Sequence, residues 1–100
     1  MTIRYDEALR AYMEKTGKST IAVEVMSSQS SDFDFTELYV HLISDKMAAH
    51  FKEKKGFRSV AGELGEVLLP NYRLEYDETI CFSLKKFWIF HSVRQTGIRL

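Results

Sequence analysis

The sequence predicts an α+β fold: an N-terminal helix, a mostly antiparallel β-sheet of five to seven strands, and one short internal helix. Three observations carry this. Apolar residues recur at helical spacing in two short stretches, 5–16 and 46–52. Much of the remainder alternates apolar with polar at a period of two, as half-buried strands do. No strand–helix–strand alternation supports a doubly wound parallel sheet. The 100 residues are read as one domain, 1–100, since domains run roughly 100–200 residues. Disorder needs few apolar residues and a high net charge. This chain is 45% apolar with zero formal net charge, so disorder is excluded.

The first helix is expected over 5–16. Asp6 suits its N-cap or first turn, Glu7 complements the dipole, and Gly17 is a natural stop. Thr20 to Met26 reads as a strand, with Ile21, Val23 and Val25 on one face. The polar run 27–32 is expected to break it, leaving Ser27–Asp34 as a long loop. Thr36 to Ile43 is the next strand, with Leu38, Val40 and Leu42 on one face. Phe33 and Phe35 have the opposite parity and are expected as core anchors, which asks for a bulge near Thr36–Glu37 or a sheet covered on both faces.

Ser44-Asp45 caps a second helix whose apolar stripe is Met47, Ala48 and Phe51, and Gly56 closes it. Gly62 to Gly65 reads as a turn between strands. Pro70-Asn71 suits a type I turn, pairing Leu69 with Tyr72 and Val67 with Leu74. A second hairpin is expected around Lys85-Lys86. It sets Leu84 against Phe87, Phe82 against Ile89, and Ile80 against His91, with Cys81, Ser83, Trp88 and Phe90 on the other face. Gly97 to Leu100 adds a short last strand.

Zero net charge conceals blocks. Between Lys18 and Lys46 lie five acids and no Lys or Arg. Residues 46–58 hold five bases against Glu53, 63–78 five acids against Arg73, and 85–100 four bases and no acid. Such blocks either complement one another within the fold or orient a partner. A nucleic-acid binder would show a basic excess or a known motif, so nucleic acid is not an expected partner. No apolar run approaches the ~20 residues of a bilayer span, and Asp6 and Glu7 stand where a signal peptide would be apolar. A cytoplasmic protein, monomeric or homodimeric, is expected, with another protein as partner and no membrane.

Local chemistry is sparse. There is no GxGxxG, no GK[ST] and no HExxH. Cys81, the one cysteine, cannot form an internal disulfide, and its strand face reads as apolar, so a buried structural thiol is expected. His41, His50 and His91 are not at i, i+4 spacing. Asp32, Asp34, Glu37 and His41 could form an oxygen-rich cation site, but lack the glycine and distal glutamate of a calcium loop. No metal and no cofactor is expected, and no catalytic residue is assigned.

The order of elements, opening with Ile-x-x-Asp-Glu-Ala-Leu (Ile3 to Leu9) and closing with Gly97-Ile98, resembles the HesB-like, A-type iron–sulfur carrier family. The resemblance implies a β-rich fold opening with a helix. It also implies cluster-binding cysteines, one in the loop after the first strand and a close pair near the C-terminus. Here the first place is Met26-Ser27-Ser28 and the tail is Gln95 to Leu100, neither with a cysteine. The reading that follows is a small non-enzymatic HesB-like binding or interaction module without iron–sulfur ligands. Its contacts are expected at Ser27, Ser28, Asp32 and Asp34. The alternatives are a metal or iron–sulfur carrier using Cys81 or ligands shared across a dimer, and a small enzyme of unrecognised type.

Overall fold

The computed structural model describes residues 1–29 and 34–100. In chain order the elements are β1 (Thr2–Tyr5), α1 (Glu7–Thr16), β2 (Thr20–Gln29), β3 (Asp34–Ile43), α2 (Asp45–Lys54), β4 (Arg58–Ala61), β5 (Glu66–Leu69), β6 (Glu75–Phe87) and β7 (Phe90–Arg99). The fold is α+β. The strands divide between two mixed sheets, one ordered β1-β6-β7 and the other β3-β2-β5-β4. The pairing is mostly antiparallel, as expected, through β2–β3, β4–β5 and β6–β7, while β1–β6 and β2–β5 are parallel; the expected single sheet is instead two.

The helix α1 begins where its chemistry says it should. Asp6 is extended, and its carboxylate accepts from the Leu9 amide at 2.8 Å. Gly17 ends the helix at φ +72° and donates its N–H to the Met13 carbonyl. That left-handed conformation costs glycine little. Tyr5 is not helical: it ends a four-residue strand preceding the helix. Ile3 and Tyr5 sit beside Ile80 and Phe82 of β6, and the Asp6 amide extends that ladder by donating to the Phe82 carbonyl. The N-cap residue therefore joins strand to helix without a gap.

Two cores result. The main one lies between the sheets and against α1, joining Ile3, Tyr5, Leu9, Met13, Ile21, Val23, Val67, Leu69, Ile80, Phe82 and Ile98. The second lies on the opposite face of the four-stranded sheet, where Ala22, Ile43 and Leu68 meet Ala48 and Phe51 of α2. Ser44 caps α2 by accepting from the Met47 amide at 3.3 Å. Met47 itself is exposed, so the buried stripe of α2 is Ala48 and Phe51 alone.

Strand pairing departs from the sequence reading in three places. First, β2 runs on to Gln29 and pairs without interruption with β3, from Thr20 with Ile43 to Gln29 with Asp34. No bulge occurs near Thr36, and the Ser27–Asp34 segment is strand at both ends. Phe33 lies outside the described residues. Second, Pro70-Asn71 is not a hairpin. Both edges of β5 are taken, by β2 and β4, so the chain leaves for the other sheet. Pro70 has no N–H to extend the ladder, which suits a strand end. Third, β6 continues through Lys85-Lys86 and turns at Trp88-Ile89. Leu84 pairs with Val93 and Phe82 with Gln95, so Ile89 does not face Phe82. The expected turn between Gly62 and Gly65 is present, closed by Gly62 N–H donating to the Gly65 carbonyl at 2.7 Å.

Candidate binding groove between the two sheets

Each sheet ends in a strand with one open edge, and two of these, β3 and β7, come together. Between them runs a cleft of about 590 Å³ lined by Glu37, Leu38, Tyr39 and Val40 on one wall and residues 92–95 on the other. It adjoins a second hollow of about 350 Å³, reached by Tyr12, His41, Leu42, Leu84 and His91. The sequence builds this by alternation along β3. Leu38, Val40 and Leu42 pack partly buried against the main core, which leaves Glu37, Tyr39 and His41 on the other face. Moving along β3 toward Ile43 is moving along β7 toward Phe90.

Glu37 on one wall and Arg94 on the other give the cleft both signs of charge. The Tyr39 hydroxyl donates to Glu37 at 2.9 Å, and that hydrogen bond raises the Tyr39 pKa. Tyr39 lies parallel to His41, and Tyr12 stacks on His91 with ring centroids 4.7 Å apart. His41 Nε2 meets Glu24 at 3.0 Å, and the same carboxylate accepts from Lys55 at 3.1 Å. On the far wall the Gln95 amide is committed to the backbone, donating to the Ile98 carbonyl and accepting from the Ile98 amide. The groove can thus offer hydrogen bonds, aromatic faces and opposed charges.

No protein-family model matches the chain, and no curated protein matches it. The site therefore rests on geometry. Of the residues expected to bind, Ser27 and Ser28 lie in β2 opposite Thr36 and Phe35, and Asp34 opens β3 opposite Gln29. Asp32 lies outside the described residues. The suggested cation cluster is not assembled: Glu37 holds Tyr39, whereas His41 holds Glu24. Four residues apart on one strand, they are separated by about 13 Å. Among the described residues no three His, Cys, Asp or Glu side chains converge. No described helix is long and apolar enough to cross a membrane.

Cys81 corrects an expectation outright. It is exposed, on the outer face of the three-stranded sheet, beside Arg4 of β1 and Thr96 of β7. The charge blocks, by contrast, complement one another in part within the fold. Lys55 meets Glu24, Lys52 meets Glu66, Arg10 meets Glu63, and Arg99 meets Asp77 and Glu75. The groove residues Tyr12, Tyr39, His91 and Arg94 were missed because only the facing of two sheet edges collects them.

Proposed function

We propose that this chain is a small non-enzymatic binding module of HesB-like type, without iron–sulfur ligands, that receives a segment of another protein along the groove between β3 and β7. The observation that carries the reading is the groove itself. It is of a volume usual for binding sites, it is walled by two strand edges, and it carries Glu37 on one wall and Arg94 on the other. An extended segment presents alternating side chains and backbone amides, which such a surface can match. The HesB-like part rests on the order of elements, a helix near the N-terminus followed by a β-rich remainder.

The donor chemistry does not fit a cluster. The serines and the tail that occupy the resembled family's cysteine positions carry no thiolate, and a neutral hydroxyl is a poor iron ligand. One observation favours the carrier reading: the Cys81 thiol is exposed and so available to a metal shared between two chains.

A displayed library of extended peptides tests the module reading. Selected peptides should perturb the amide resonances of 37–40 and 92–95, and Tyr39→Ala with Arg94→Ala should weaken them tenfold or more at an unchanged melting temperature. Peptides whose footprint lies elsewhere would refute the groove. Incubation with ferrous iron and sulfide separates the carrier: thiolate–iron absorption that disappears in Cys81→Ser would displace the module reading.

A further inference from the structure

Among the described residues, the most exposed apolar group is at the tip of the β6–β7 hairpin. Trp88, Ile89 and Phe90 are 79%, 83% and 69% exposed. Three consecutive large apolar side chains held in water mark a docking surface rather than a scattered exposure. Trp88 and Ile89 form the two-residue turn between Phe87 and Phe90, and Phe90 opens β7. Trp88 has φ +59°, and it is the one residue other than glycine with a positive φ among the described residues. A glycine would adopt that conformation without strain, and a bulky side chain adopts it at a cost. Strain retained where glycine would relieve it points to a use for the side chain.

The surroundings say what the tip meets. Lys85, Lys86 and Arg94 are all exposed, and none enters an ion pair among the described residues. Arg99, from the same basic block, is instead bound to Asp77. Lys85 lies across from Ser92 and Arg94 across from Ser83, on the sheet face that carries exposed Cys81. Lys86 lies across from His91, on the other face. Cations therefore flank the hairpin on both sides. At about 3.3 Å per residue, Lys86 and Lys85 lie roughly 7–10 Å behind Trp88. Peripheral segments bury their apolar residues about 5–10 Å into the headgroup and acyl boundary. Inserted to that depth, the tip would place both lysines among lipid phosphates. Trp is the side chain that prefers this boundary.

We propose that the β6–β7 hairpin docks on an anionic lipid bilayer, with Trp88, Ile89 and Phe90 entering the interface and Lys85 and Lys86 contacting headgroups. A second copy of the chain fits less well, because pairing two tips brings these cations together. This proposal departs from the expectation that no membrane is a partner. That expectation rested on the absence of a spanning segment, which has no bearing on surface docking. The inference stands apart from the groove, which lies along β3 and β7 and not at the turn.

Trp88, the only tryptophan, is its own reporter. With vesicles of phosphatidylcholine and phosphatidylserine, its emission should move to the blue and resist acrylamide quenching. Phosphatidylcholine alone should produce little change, and added salt should weaken the response. Lys85→Ser and Lys86→Ser should each lower partitioning on the order of fivefold. Trp88→Gly is the decisive variant. It should fold at least as stably, because the turn relaxes, yet lose co-sedimentation with the vesicles. The proposal is overturned if Trp88 emission ignores anionic vesicles, or if Trp88→Gly sediments with them as the parent does. It is equally overturned if the tip instead drives self-association or holds a protein in the absence of any vesicle binding.

Discussion

The two sheets bury their residues by different rules. In the four-stranded sheet, β2 and β5 are covered on both faces. Ile21 and Val23 enter the main core while Ala22 between them packs toward α2, and Val67, Leu68 and Leu69 divide in the same way. In the three-stranded sheet, Ile80 and Phe82 are buried while Cys81 between them is exposed. Unbroken apolar runs thus mark two-sided strands, and strict alternation marks one-sided strands. The lesson bears directly on Cys81. Residues 79–84 alternate, so one face had to be solvent, and a small apolar residue type was mistaken for a buried one.

The largest expected effect tests the one-sided sheet. Phe82 is fully buried where β1, β6 and the main core meet. Phe82→Ala should cost about 3–5 kcal/mol in chemical denaturation, a large part of a domain's ~5–15 kcal/mol. A loss under about 1 kcal/mol would mean that this face is not the core face.

Leu68 tests the two-sided sheet. Leu68→Ala should cost about 2–5 kcal/mol, and it should act on α2 first. Hydrogen exchange at 45–54 should accelerate ahead of exchange in β6. Uniform acceleration through both sheets would show that the second core is not separable from the first.

Tyr5 probes the seam between strand and helix. Its hydroxyl is buried with no hydrogen-bond partner among the described residues. Burial, and then the nearby Glu63 charge, push its pKa from the ordinary 10.0 up to about 12. The folded value is the raised one, so this contribution is fully present below pH 10 and is lost as pH climbs toward 12. Tyr5→Phe should remove the unpaired group, raise stability by about 1–3 kcal/mol, and flatten the alkaline end of the stability profile. An unchanged alkaline profile in that variant would place the titration elsewhere.

The smallest effect belongs to the open face. Cys81→Ser should change stability by no more than about 0.5 kcal/mol, as exposed substitutions usually do. In the native protein the thiol should label at the rate of the unfolded chain. Slow native labelling that quickens only on unfolding would restore the buried reading and erase the distinction between the sheets.

Local chemistry determined the local structure. Asp6 and Ser44, whose side chains accept from backbone amides, and Gly17, whose N–H donates to Met13, fix three helix boundaries, and side-chain parity fixed which residues of β6 point inward. Parity could not fix the register of the β6–β7 hairpin. Leu84 pairs with Val93 instead of Phe87, six residues farther on, and an even shift leaves every side chain on the same face. Nor could it show that β5 spends both edges on β2 and β4, or that β1 and β5 each pair in parallel with a strand distant in sequence. Those choices depend on competition among non-local partners for a limited number of edges. The groove between β3 and β7 and the exposure of Trp88 follow from that competition, so only the tertiary structure decided them.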